Sequence, residues 1–183
     1  MGFDKDRFIS DCRAALEESD VKAAIDAVVR RAVSDPSQVI AALGEPREAT
    51  FEALYAAPDL TICNVLWGPG MDFYPHDHRL WAVIGVYGGR EDNAFYRRDE
   101  NRLTRHGVKE IPSKDTVVLG ESVIHSVANP LGTITAGIHV YGGDLNATPR
   151  SEWDPETFEE RPFDSDHAVR LFEESNRRLQ SST

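Results

Sequence analysis

Between Leu60 and Tyr141 the chain is cut by turn formers into short runs of β-branched and aromatic residues, and this texture limits the possible folds more than any other feature. Such runs, bounded by Gly, Pro, Asn and Asp, read as strands. Eight are expected, over 60–66, 71–76, 80–87, 94–98, 102–106, 115–119, 123–127 and 133–141. The turns between them include Gly68-Pro69-Gly70, Gly88-Gly89, Asp99-Glu100-Asn101, Pro112-Ser113-Lys114-Asp115 and Asn129-Pro130-Leu131-Gly132, all rich in residues that favour tight reversals. Many short strands create many edges, which only a closed barrel or a double sheet hides. The expected class is mainly β, a sandwich or small barrel.

Helices are expected at both ends. Phe8, Cys12, Ala15 and Leu16 recur at helical spacing, and the Ala- and Val-rich stretch Val21 to Val33 has Asp20 as its N-cap. A third short helix should start at Asp35-Pro36 and stop at Gly44, before Pro46. After Tyr141 the chain reads as polar and irregular until a helix from Asp166 to Leu179, capped by Ser165, with Ala168, Leu171, Phe172 and Leu179 on one face. At 183 residues the whole fits one domain: a helical apron over 1–45, a barrel core over 60–141 and a C-terminal helix over 165–180.

A net charge of −11 opposes nucleic-acid binding, which needs clustered Lys and Arg to displace counterions. No stretch approaches the roughly 20 apolar residues that cross a bilayer, and the first residues hold no run of signal-peptide length, so no membrane partner and a cytoplasmic location are expected. Cys12 and Cys63 lie far apart in different kinds of segment and read as small buried hydrophobes. The oligomeric state stays open between monomer and homodimer.

The strongest chemical signal is His76-Asp77-His78. Side chains at i and i+2 of a strand share a face, so both imidazoles can reach one point inside a barrel. His125, in a strand-like segment after Gly120, can return to the same interior. Three neutral imidazoles leave coordination positions open and suit Fe, Ni, Cu, Zn or Co. A dianionic or chelating anionic substrate would match the undiminished +2 charge. No carboxylate follows within Arg79-Leu80-Trp81-Ala82-Val83. Glu91 is a later candidate ligand, but past Gly88-Gly89 it reads more simply as an exposed turn carboxylate paired with Arg90 or Arg97. His139 and Tyr141 share a face by the same rule, either as a catalytic pair or as ordinary filling of the interior. His106, at a hairpin end, and His167, in the first turns of the last helix, read as solvated structural residues.

Trp67-Gly68-Pro69-Gly70, His76-Asp77-His78, the single downstream His125 and His139-Val140-Tyr141 together resemble the thiol dioxygenases of the cupin superfamily, such as cysteine dioxygenase and 3-mercaptopropionate dioxygenase. The resemblance spans roughly residues 45 to 150. It implies a cupin barrel, a double-stranded β-helix or jelly roll, in which His76, His78 and His125 hold non-haem Fe(II) and a small thiol and O₂ bind beside it. His139 and Tyr141 would be the last two members of a Ser-His-Tyr relay.

The match is incomplete. Gly137 stands where the relay Ser would be, and Ala82 lies near the cysteine that forms a thioether in some relatives. Thr50-Phe51-Glu52-Ala53-Leu54 offers no substrate-binding arginine, whereas Arg150 falls where the mercaptopropionate enzymes place theirs, unless it is a surface charge paired with Glu152 or Asp154. The Gly88 to Arg98 segment matches neither enzyme. Two functions are therefore carried forward. One is an Fe(II)-dependent dioxygenase converting a carboxylate-bearing thiol to a sulfinic acid. The other is a non-redox cupin that binds a small anionic metabolite around Zn or Ni.

Overall fold

The computed structural model describes residues 2–99 and 102–181. Eleven strands are present among them: β1 (Thr50–Ala57), β2 (Leu60–Trp67), β3 (Asp72–Asp77), β4 (Ala82–Gly88), β5 (Arg90–Asp99), β6 (Arg102–Pro112), β7 (Thr116–Leu119), β8 (Ile124–Ala128), β9 (Thr135–Tyr141), β10 (Ser151–Trp153) and β11 (Glu160–Pro162). Helices α1 (Lys5–Ala15), α2 (Val21–Val33) and α3 (Pro36–Leu43) precede them, and α4 (Ser165–Ser181) follows.

Strand β2 pairs with β9, β3 with β8, β4 with β7 and β5 with β6, all antiparallel. The pairs nest, so β2 to β9 form one long ribbon tipped by the β5–β6 hairpin. Successive pairs alternate between a sheet of order β1-β2-β9-β4-β7 and one of order β11-β10-β3-β8-β5-β6. A ribbon wound in this way is a double-stranded β-helix, and the mainly β class with helices at both ends is as expected.

Burial follows strand alternation. In β2, Cys63, Val65 and Trp67 join the interior cluster, while Leu60, Ile62 and Leu66 face the cluster under the N-terminal helices. Having both faces covered, β2 and β9 are buried along their whole length, which is why they read as continuous apolar runs. On α2, Ile25, Val29 and Val33 recur every fourth residue and pack onto that outer face. Asp20 caps α2 by accepting from the Ala23 amide at 3.1 Å, as expected. Among the described residues no helix is long and apolar enough to cross a membrane.

The structure corrects several boundaries. β1 was not expected: TFEALYAA has little alternation because the strand is a largely exposed sheet edge. It reaches β2 through the tight turn at Pro58-Asp59. The segment after Tyr141 is not wholly irregular, since β10 and β11 pair there and β10 lies against β3. The helix-capping residue of α4 is Asp164 rather than Ser165, accepting from the Asp166 amide at 2.9 Å. β5 starts four residues earlier than expected, directly after Gly89, and β6 runs on to Pro112. Gly89 has φ +72°, and a Cβ there would lie 2.4 Å from Thr135 Oγ1, so the crossing between sheets needs glycine. The tip of the Asp99-Glu100-Asn101 turn falls outside the described residues.

Candidate metal centre

His76 on β3 and His125 on β8 stand directly opposite each other in the strand register, and His78 follows just beyond the end of β3. His76, His78 and His125 are buried, at 5%, 4% and 1% exposure. Nε2 of His78 lies 3.2 Å from that of His76 and 3.3 Å from that of His125, and one ligand atom from each residue falls within 4.8 Å of the others. Imidazoles each about 2.0–2.1 Å from one ion would be spaced this way. The cluster fits a divalent transition metal.

Two of the rings are oriented by partners behind them. His76 Nδ1 donates to the Tyr74 carbonyl at 3.0 Å, and His125 Nδ1 lies 2.6 Å from Asn93 Oδ1. Protons on Nδ1 leave Nε2 free toward the ion, the usual arrangement for ligating histidines. Burial, reinforced by the neighbouring imidazoles, holds His76 and His78 well below the ordinary histidine pKa. Burial lowers His125 to about 4. All three are neutral at pH 7 and available as ligands. Between them Asp77 points away, accepting from the Ser151 amide at 2.7 Å and from Arg79 Nε at 3.0 Å, which ties β10 to the strand of His76.

His139 and Tyr141 on β9 reach the same cavity, with His139 Nδ1 3.1 Å from the Tyr141 hydroxyl. Burial raises Tyr141 well above its ordinary pKa, so the phenol is neutral. On the other side of the His139 ring, Nε2 is 3.3 Å from Glu91 Oε2, off the line of a well-aligned hydrogen bond and with no better partner among the described residues.

Glu91 lies outside the three-histidine cluster and is not a turn carboxylate. Because β5 already runs at Arg90, alternation turns Glu91, Asn93 and Phe95 inward, and Glu91 is fully buried. It accepts from Trp67 Nε1 at 2.8 Å and from Asn93 Nδ2 at 2.9 Å. Burial pushes its pKa up, but His139 and these donors outweigh that and hold the carboxyl below the usual range. Arg90 pairs instead with Asp92 and Glu110.

Arg150 is not a surface charge. Glu152 binds Arg161, His167 and the Asp164 amide, and Asp154 caps its own turn at Glu156 and Thr157. No described carboxylate pairs with Arg150, whose guanidinium lies 3.5 Å over the Phe163 ring and lines the metal cavity. Burial works against its charge and lowers its pKa. An anion in the cavity would offset that cost.

The cavity has a volume of about 460 Å³. Trp67, Phe73, Leu145 and Phe163 form its apolar walls, and α4 closes one side with Ala168 and Phe172, the latter stacked on Trp67 at 5.4 Å. This contribution of α4 was not foreseen. The other histidines lie elsewhere. His106 is exposed, while His167 is half-buried rather than solvated, stacked on Tyr74 and 3.1 Å from Glu152. Cys12 and Cys63 are buried free thiols raised to about 12, chiefly by burial.

No protein-family model matches the chain. A Bacillus halodurans protein, BH2720, superposes on 53% of this chain and 72% of its own, with 19% identity and a TM-score of 0.47. The cupin domain of Cnp3 from Schizosaccharomyces pombe covers 56% of this chain and 66% of its own, with 9% identity and a TM-score of 0.45. An oxalate decarboxylase variant from Bacillus subtilis covers 50% of this chain and 23% of its own, with 15% identity and a TM-score of 0.40. The wound ribbon and the histidine cluster define a mainly β, double-stranded β-helix protein with a buried site that can hold a divalent ion. The chain places a buried carboxylate behind His139 and an arginine facing the cavity of the three histidines.

Proposed function

We propose that the chain is an Fe(II)-dependent dioxygenase that converts a carboxylate-bearing thiol to a sulfinic acid. The observation that carries this reading is Arg150: an unpaired, largely buried guanidinium in the cavity of the three histidines and of the His139–Tyr141 pair. Iron bound by His76, His78 and His125 would supply the redox chemistry that lets O₂ add to sulfur. The reaction R–SH + O₂ → R–SO₂H balances without an outside reductant, because both oxygen atoms end on sulfur.

The chain's own residues bind and orient. The Arg150 fork takes the substrate carboxylate in two parallel hydrogen bonds. Tyr141, backed by His139, offers a hydrogen-bonding oxygen beside the reacting sulfur, and the aromatic walls exclude water. The cavity is larger than a three-carbon mercapto acid needs, leaving room for an apolar substituent against Phe73 and Leu145.

Anaerobic reconstitution with iron, followed by O₂-uptake assays over thiols with and without a carboxylate, tests the proposal. Thiol-dependent uptake with two atoms of label from ¹⁸O₂ in the product is expected. Arg150→Gln should raise KM for carboxylate-bearing thiols by at least tenfold, equivalent to about 1.4 kcal/mol. Binding of carboxylates without thiol-dependent uptake would instead favour the non-redox, anion-binding cupin.

A further inference from the structure

We propose that Glu91 is a positioning residue that sets the ring tautomers of two histidines at once, His139 directly and His125 through Asn93. The metal-centre reading explains why these tautomers matter, but the tautomers themselves are properties of the chain.

Two donors and a close imidazole nitrogen meet at this fully buried carboxylate. Trp67 Nε1 and His139 Nε2 approach Oε2, at 2.8 and 3.3 Å, and Asn93 Nδ2 approaches Oε1 at 2.9 Å. A carboxylate only accepts, so the Asn93 amide must turn its NH₂ toward Glu91. Its carbonyl oxygen then faces the other way, 2.6 Å from His125 Nδ1. A carbonyl also only accepts, so His125 carries its proton on Nδ1 and directs the Nε2 lone pair at His76 and His78.

The second arm works by the same rule. With a carboxylate facing Nε2, His139 keeps its proton there and leaves a lone pair on Nδ1. Nδ1 then accepts the Tyr141 hydroxyl hydrogen at 3.1 Å, and the phenol presents oxygen lone pairs to the cavity. Gly137 leaves the His139 ring uncrowded, because a Cβ there would lie 3.3 Å from both His139 Nε2 and the Gly85 carbonyl. The interior face of β5 explains how one residue serves both histidines. Asn93 lies diagonal to His125 across the β5–β8 ladder, since Phe95 is directly opposite it, and Glu91 is two residues further along the same face.

The test follows from the fact that the Trp67 indole can only donate. In Glu91→Gln the new amide must keep its oxygen toward Trp67 and turn its NH₂ toward Asn93. Asn93 then has to rotate, offering NH₂ to His125 Nδ1 and driving the His125 proton to Nε2. In long-range ¹H–¹⁵N NMR of the metal-free protein, the wild type should show Nδ1–H at His125 and Nε2–H at His139. Glu91→Gln should move the His125 proton to Nε2 and leave His139 unchanged. Its affinity for Co(II) alone, measured by chelator competition, should fall about 10- to 100-fold. Either histidine in the opposite tautomer in the wild type would overturn the proposal, and that measurement needs no variant to fold. Unchanged His125 tautomer and Co(II) affinity in Glu91→Gln would overturn it as well. Neither readout uses turnover, so failure of the oxygenase reading leaves the test intact.

Discussion

Tyr141 shows what a single hydroxyl contributes at this site. It touches what binds in the cavity and is not one of the three clustered imidazoles, so Tyr141→Phe should keep fold and metal. It would lose the hydrogen bond to His139 Nδ1 and the acceptor oxygen turned toward the cavity, together roughly 1–3 kcal/mol, and each 1.36 kcal/mol is about tenfold in rate. On the proposed dioxygenase reading, turnover with iron loaded should fall about ten- to a hundredfold at constant metal content. Full activity, or an emptied metal site, would remove the role given to the pair. His76, His78, His139 and Tyr141 were legible in the sequence because period-two spacing puts such pairs on one face of a strand. Glu91 obeys the same rule with Asn93 and Phe95. It was hidden because the charged run from Arg90 looks like a turn, and nothing local shows that the strand begins immediately after Gly89. Arg150 was identified only by its position after Tyr141, since a single sequence cannot distinguish a pocket-facing arginine from one paired on the surface.

At the scale of elements, the chain's least conspicuous pieces frame the site. β10 is three residues long and carries no alternation, yet it seats Asp77, which lies between His76 and His78. The apolar face of α4 was visible from its spacing, but that it walls the metal cavity was not, because its anchor is remote in sequence. Asn176 accepts from the Ala49 amide at 2.6 Å and donates to the Ala49 carbonyl at 2.9 Å, clasping the helix to the entry of β1. Removing the clasp in Asn176→Ala should cost about 1–2 kcal/mol, at roughly 1 kcal/mol per hydrogen bond. Hydrogen exchange of the α4 amides should quicken while the β-strands stay protected, because local opening draws on the elements held by fewest contacts. Unchanged exchange in α4 would mean that Phe172 and its aromatic neighbours hold the helix without the clasp.

For the molecule as a whole, the eight strands from β2 to β9 and the end helices were readable from turn spacing and apolar periodicity, whereas β1, β10 and β11 were not. The nesting of β2–β9, β3–β8, β4–β7 and β5–β6 depends on partners far apart in the chain and was implied only by resemblance. The winding has a consequence for stability, since it buries three neutral imidazoles that an unfolded chain would expose to water. Their folded pKa values are depressed, His125 to about 4, whereas in the unfolded chain they titrate near 6.5. For His125 the unfolded state therefore binds more protons between about pH 6.5 and 4, so its contribution to the stability of the metal-free protein should decline as pH falls through that window. Urea unfolding at pH 7.5 and 5.5, where most carboxylates remain ionised, should show a loss of about 1 kcal/mol for His125 alone. Equal or greater stability at pH 5.5 would contradict neutral burial of the cluster.

The most direct measurement of the central claim is metal content after anaerobic loading with Fe(II) and exhaustive dialysis. Wild type, His106→Ala and His167→Ala should each retain one ion per chain. His76→Ala, His78→Ala and His125→Ala should retain close to none, because two imidazoles on an otherwise open ion do not hold it against dialysis. Full retention by any of these last three variants, or loss of metal from His106→Ala, would contradict a centre built from His76, His78 and His125.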